Sequence, residues 1–457
     1  MKYIFLVIFC ALVALSVVAG LWRPRNDDPR IPIVWATDDN PVRRAQIALF
    51  NAHHPDYRVV LDPANTPLEK VVVQSMAGVG PDVFDCYNGF QLTAYVRAGI
   101  AMDITEAMTQ RGVRPEEMWP SVWPHTMLDG RMYGHAGNAT ANAMWFNKRL
   151  FREAGIPYPQ AGWTWEDCIE AAKALTRRDA RGRPEQFGMI MDKWEWRYSL
   201  LGQWGGNIYS PEGTRCMLDA PEAQDAMQFF ADLIHVHRVL PTATEEASVA
   251  TAGGWATGPM ALFAAERVAM AVGGRWWLCI LRHPDYRHLD LGAVVLPQGP
   301  SNRIFGGGRS SLVNRFSHHR EAALDFVAFM HSPQWNALIN RQADALGPVK
   351  RYHYGEYESD FLDNPEHPEE DYNETWRNAL ENAAPEYPSP FVNGYMVDRI
   401  LEKHTDMMRE GLKSGRQAMI DATREVNRAI VETLEIDPSL RKQYDALIAQ
   451  GAPAAWD

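Results

Sequence analysis

Apolar and polar positions along the chain change period every ten to twenty residues, and the changes mark out elements. Ile31–Thr37 (IPIVWAT) is an almost unbroken apolar run, which predicts a buried strand. Behind it, Pro41 suits a helix start, and Val42, Ala45 and Leu49 recur at helical spacing. Tyr57–Asp62 predicts a second strand, and Thr66-Pro67-Leu68-Glu69 has the form of a capping box opening a helix to about Ala77. Gly80-Pro81 then turns into a third strand at Asp82–Asp85. Strand, helix, strand, helix, strand in this order predicts a parallel, doubly wound sheet.

The second half carries the same alternation. Phe187–Met191 and Leu291–Pro297 predict strands, and Pro221 opens a helix with Ala223, Met227, Phe230 and Ile234 on its apolar face. Further helices are expected at Glu321–Met330, from Pro333, and over 388–412 and 417–434, with Tyr352–Asn373 as a surface excursion. Between them, a helix-like Leu262–Arg267 leads into a strand at Val268–Val272 that ends on Gly273-Gly274-Arg275-Trp276-Trp277. Two glycines allow the backbone to turn, and two large rings stand at a strand end, where open α/β sheets bind ligands. One ring is expected in the core. The other, Trp276, is the leading stacking candidate, since a ring face with polar groups beside it suits a sugar.

Composition narrows the partners. The 457 residues carry a formal net charge of −12, which repels phosphate backbones and argues against nucleic acid. Tyr3–Leu21 is an uncharged apolar run behind Lys2, so residues 1–30 are expected to be a signal peptide, cut near Val17-Val18-Ala19, or a retained N-terminal membrane anchor with a tether. Either way the body is exported. Cys10 belongs to that leader; Cys86, Cys168, Cys216 and Cys279 form no CxxC pair, so no metal is expected and buried free thiols are. Asp38-Asp39 are adjacent and do not flank a bond as a glycosidase pair must, the histidines are scattered, and no G-x-S-x-G elbow occurs. No enzyme and no cofactor are implied.

Several segments together resemble one family. Gly80-Pro81-Asp82-Val83, Ala98–Ile104, Gly130–Phe146, Asn147-Lys148 with Gly155-Ile156-Pro157, Thr164-Trp165-Glu166-Asp167, the Leu262–Trp277 stretch, Gly306–Ser311 and Gly347-Pro348-Val349 follow the order found in the extracellular solute-binding proteins of ABC importers, in their sugar-binding, maltose-binding-protein-like group. The departures are Ala101, Ala136 in place of a usual proline, and Phe146 in place of a tyrosine.

The resemblance implies a periplasmic-binding-protein-like α/β fold with two doubly wound lobes joined by crossing hinge strands. It places lobe 1 at residues 31–138 plus 307–346 and lobe 2 at 139–306 plus 347–457, with C-terminal helices able to span both. It also implies a monomer that closes over its ligand and docks on a permease. The cleft-facing positions would be Asp38 and Asp39 after the first strand, and Asp85 and Asn88 after the third. Asn138, Thr140 and Asn142 on one side of the crossing strand, Trp194 and Trp196 after Met191, Trp276, and Arg309 at the return crossing complete the set. Asp38 has an alternative as a helix cap, and Asp85 and Arg309 as structural ion pairs. A sugar or oligosaccharide is the expected ligand. Another solute (a glycerol phosphate, a polyamine or an iron complex) is the alternative, and a polysaccharide-active enzyme is the more distant one.

Overall fold

The structure is a computed structural model that describes residues 13, 28–63, 68–193, 195–249 and 258–456. The leader apart from Val13, the Thr66-Pro67 half of the capping box and Trp194 lie outside the described residues. Among those residues no helix is long and apolar enough to cross a membrane.

The strands are β1 (Ile31–Ala36), β2 (Tyr57–Asp62), β3 (Val83–Cys86), β4 (Met127–Leu128), β5 (Arg131–Met132), β6 (Gly134–Ala136), β7 (Thr140–Asn147), β8 (Arg177–Arg178), β9 (Pro184–Ile190), β10 (Val268–Gly274), β11 (Leu291–Val294), β12 (Ile304–Gly307), β13 (Ser310–Val313) and β14 (Ala383–Ala384). They build two main sheets, one in each α/β lobe. The first runs β2-β1-β3-β13-β6, and the second runs β14-β12-β7-β10-β9-β8 with β11 also on β7. As the early alternation predicted, β1 is parallel to both β2 and β3. The chain leaves the first sheet after β6 and enters the second at β7. It returns between β12 and β13, so Gly137–Ala139 and Gly308-Arg309 are the crossings. Both crossings are tight: a methyl group on Gly308 would stand 2.3 Å from the Asn138 carbonyl oxygen.

Three expectations need correcting. Gly273 and Gly274 do not turn the chain; they remain in β10, paired with Ala143 and Asn142 of β7. They are glycines because a side chain there would collide with rings. A methyl on Gly273 would lie 2.4 Å from the Trp277 ring, and one on Gly274 2.7 Å from that of Trp276. The 352–373 segment is not a surface excursion, because Tyr352, His353, Phe361, Asn364, Glu370, Tyr372 and Asn373 are buried in it. The helix expected from Pro388 starts only at Gly394, behind an Asn393 side-chain cap, and a last helix at Pro438–Ala449 follows one at Gly415–Ile436.

The core of the second lobe is aromatic. Trp277 lies parallel to Trp145 at 6.3 Å, and Trp376 from helix Glu374–Glu381 packs 4.8 Å from Trp145. Cys86, Cys168, Cys216 and Cys279 are free thiols. Burial pushes Cys86 and Cys216 up to about 12 and the other two higher still, so little thiolate forms near neutrality. Reductant should therefore leave the thermal midpoint unchanged in differential scanning fluorimetry. A fall of several degrees would mean that a disulfide forms.

Candidate functional site

The ends of both sheets face one cavity of about 440 Å³, within the usual range of small-molecule sites. Asp38 and Asn40 reach it from the end of β1, and Asn138, Thr140 and Asn142 from the first crossing and β7. Trp276 enters from the turn after β10, Phe305–Arg309 from the return crossing, and Asp344-Ala345 from the loop after helix Pro333–Gln342. Ala141, Glu195, Tyr198, Tyr87 and Arg43 complete the lining. A second cavity of about 260 Å³ adjoins it, sharing Tyr87, Tyr198, Gly306 and Gly307. The two form one groove with ring faces along it.

Trp276 owes its position to its neighbours. Trp277 is buried and anchors the turn in the core, while Trp276 stands at right angles to it, half-buried, with its ring centroid 6.3 Å away. Arg275 is buried as well. Its Nη1 donates to the carbonyls of Asn340 and Ala345 at 2.8 Å each, and its Nε donates to Asn373 Oδ1 at 3.0 Å. The turn is thereby tied to the Ala345 wall opposite.

The structure brings Asp38, Asn138, Thr140, Asn142, Trp276 and Arg309 together at the cavity. Trp194 lies outside the described residues, and Asp39, Asp85, Asn88 and Trp196 do not line this cavity. Trp196 is fully buried, because its helical turn (Arg197–Leu201 follows at once) points that ring into the core. Asp85 is buried beneath the cavity and serves as an internal acceptor: Trp35 Nε1 donates to it at 2.9 Å, Ser311 Oγ at 2.8 Å, and Thr37 Oγ1 also donates. Asp39 is exposed and does not line the cavity. Asn88 caps helix Gly89–Arg97, accepting from Gln91 N at 3.0 Å, and lines only the adjoining cavity.

Buried charges set the lobe-1 wall. Arg43 Nη2 pairs with Asp38 at 2.6 Å and its Nη1 with Asp344 at 2.9 Å. Arg309 pairs more loosely, with Asp85 at 3.6 Å and Asp344 at 3.8 Å. Both guanidinium groups lie against the Trp35 ring, 5.3 and 5.0 Å from its centroid. Burial raises the Asp85 carboxyl despite both arginines, whereas for Asp344 the Arg43 and Arg309 charges outweigh burial and hold it low. On the lobe-2 wall, Glu195 accepts a hydrogen bond from Asn142 Nδ2, and burial pushes its carboxyl up to about 8.

Residues 36–337 match the bacterial extracellular solute-binding protein family. The chain belongs to that family. This solute-binding protein is 26% identical over 314 residues to a Brucella abortus binding protein (BAB2_0491), covering 66% of this chain and 71% of that one. It is 25% identical over 214 residues to the arabinooligosaccharide-binding protein of Halalkalibacterium halodurans, 44% of each chain. Among solved structures it superposes on the ABC substrate-binding protein Lmo0181 from Listeria monocytogenes, in complex with cycloalternan. The TM-score is 0.73 at 20% identity, over 87% of this chain and 98% of that one. With maltose-bound T. maritima MalE3 the TM-score is 0.66 at 20% identity, over 86% and 98%. These likenesses establish the fold.

Sequence reasoning about this solute-binding protein missed Arg43, Glu195, Tyr198, Phe305 and Asp344 as cavity residues. Arg43 is separated from Asp344 by three hundred residues, so no local pattern could pair them. Glu195 and Tyr198 did carry a signal, a Glu and a Tyr three apart just after a strand and beside Trp194 and Trp196 in the sequence.

Proposed function

We propose that this chain is the substrate-binding component of an ABC importer, that it captures a sugar or oligosaccharide as its two lobes close, and that it delivers the ligand to permease subunits. The observation that carries this is the groove at the sheet ends, in which a half-buried Trp276 ring faces Asp38, Asn138, Asn142 and Glu195. A ring face covers the apolar C–H side of a pyranose, and amides and carboxyls take its hydroxyls. The Halalkalibacterium relative, named for arabinooligosaccharides, and the cycloalternan and maltose complexes agree with it.

We place the lobe boundaries at the crossings, 137–139 and 308–309, with a third passage after Leu346. The protein works outside the cytoplasm, as a monomer, free or held by its N-terminal segment, and performs no catalysis. A glycerol phosphate is disfavoured because Arg43 and Arg309 already face carboxylates.

A thermal-shift panel of mono- and oligosaccharides, with polyamines, glycerol phosphates and iron complexes as controls, tests the reading. A sugar should raise the midpoint by several degrees, since ligand at a hundred times Kd adds about 2.7 kcal/mol. A response only to another class would refute it.

A further inference from the structure

Among the described residues that line the groove, carboxyls outnumber guanidinium groups. Of the three arginines that line it, Arg43 faces Asp38 and Asp344, Arg309 faces Asp85 and Asp344, and Arg197 donates to Asp398 at 3.0 Å. Glu195 in the larger cavity and Glu386 in the adjoining one form no direct ion pair among the described residues; the Arg197 charge reaches both, but its guanidinium is already paired with Asp398. Among the described residues Glu195 accepts from the neutral Asn142 amide, and Glu386 borders the groove beside Tyr387. Tyr198 lines both cavities, and both carboxyls act on its phenol, so the two lie along one stretch of groove with this ring near both.

We propose that the groove selects a sugar carrying an ammonium group, an amino-sugar-containing oligosaccharide, and that Glu195 and Glu386 recognise its charge. This rests on the reading that the groove takes a sugar. Half-buried, the two carboxyls share with Asp398 the single guanidinium that reaches them, a deficit of positive charge that a neutral sugar leaves in place. An ammonium removes it by supplying the missing charge and a hydrogen-bond donor. The Trp276 and Tyr198 faces favour a cation for the same electrostatic reason. An acidic sugar gains nothing comparable, since each arginine already faces a carboxylate.

The test is isothermal titration calorimetry of the exported protein with three matched β-1,4-linked series, dimers to tetramers. These are glucosamine oligomers, their N-acetylated forms and cello-oligosaccharides, with malto-oligosaccharides added as a second neutral linkage. It is run near pH 6, where the amines are charged. The free amines should bind at least tenfold tighter than the acetylated and neutral series, and the ratio should shrink towards one in Glu195→Gln and Glu386→Gln. Neutral or acetylated sugars binding as tightly as the amines would overturn the proposal and leave the sugar reading standing. A preference that persists undiminished in both variants would overturn the assignment to these carboxyls. Binding of no sugar at all, with a thermal shift from another solute class, would remove both readings. The wild-type comparison decides between the sugar series even if a variant fails to fold.

Discussion

Trp276→Ala should weaken sugar binding by roughly 30- to 150-fold, a loss of about 2–3 kcal/mol, while leaving the thermal midpoint of the unliganded protein nearly unchanged. The ring is half-buried against the cavity rather than packed on all sides, so in the free protein its removal opens the groove instead of hollowing the core. The bound ligand would lose the apolar face under one ring and the water exclusion that goes with it. Trp276→Phe should recover most of the affinity, because a smaller ring still stacks. The contrasting variant is Trp277→Ala. That ring is buried and lies parallel to Trp145, so its loss should cost about 3–5 kcal/mol of stability. Calorimetry on folded protein together with thermal melts separates the two. Equal affinity in Trp276→Ala and wild type would remove Trp276 from the site, and with it the physical basis for a carbohydrate ligand.

The sheet frame was legible because its signals are local. An apolar run such as Ile31–Thr37, followed by helical spacing and a capping pattern, needs no distant partner to be read. The Trp276–Trp277 pair was legible for the same reason: a strand end presents successive rings in different directions, one inward and one to the cavity. The lobe-1 wall was not legible. Asp85 looked like a cleft carboxylate from its place after β3, yet Trp35, Thr37 and Ser311 hold it beneath the surface, and Ser311 arrives from a strand more than two hundred residues later. Trp196 failed for a different reason. A turn of helix just before the Arg197–Leu201 segment rotates successive residues by about 100°, so a loop position read from a motif does not fix which way a ring points. Asp344 gave no signal, because its role depends on two arginines brought by other elements.

Asp344→Ala should destabilise the protein by about 3–5 kcal/mol, since it leaves two buried guanidinium groups against Trp35 short of a shared counter-charge. Asp344 also accepts from Gln46 Nε2 at 2.8 Å, and the chain holds it in place with Ala343 and Ala345 both at φ 61°. That left-handed conformation costs a residue with a Cβ about 1 kcal/mol or more, so the surrounding contacts must outweigh it. The same carboxylate sets a pH dependence. Arg43 and Arg309 hold its folded-state pKa below the unfolded value despite burial, so its stabilisation is complete above about pH 4 and is lost as pH falls through the lower folded value. Asp85 works in the opposite sense: burial raises it, so its contribution favours the fold at low pH and fades as pH rises through the folded value. Chemical denaturation from about pH 2 to 7 should therefore give a stability curve whose acid limb flattens in Asp344→Asn and steepens in Asp85→Asn, where the opposing contribution is gone. Identical acid limbs in wild type and Asp344→Asn would mean that Asp344 does not carry the charge that balances Arg43.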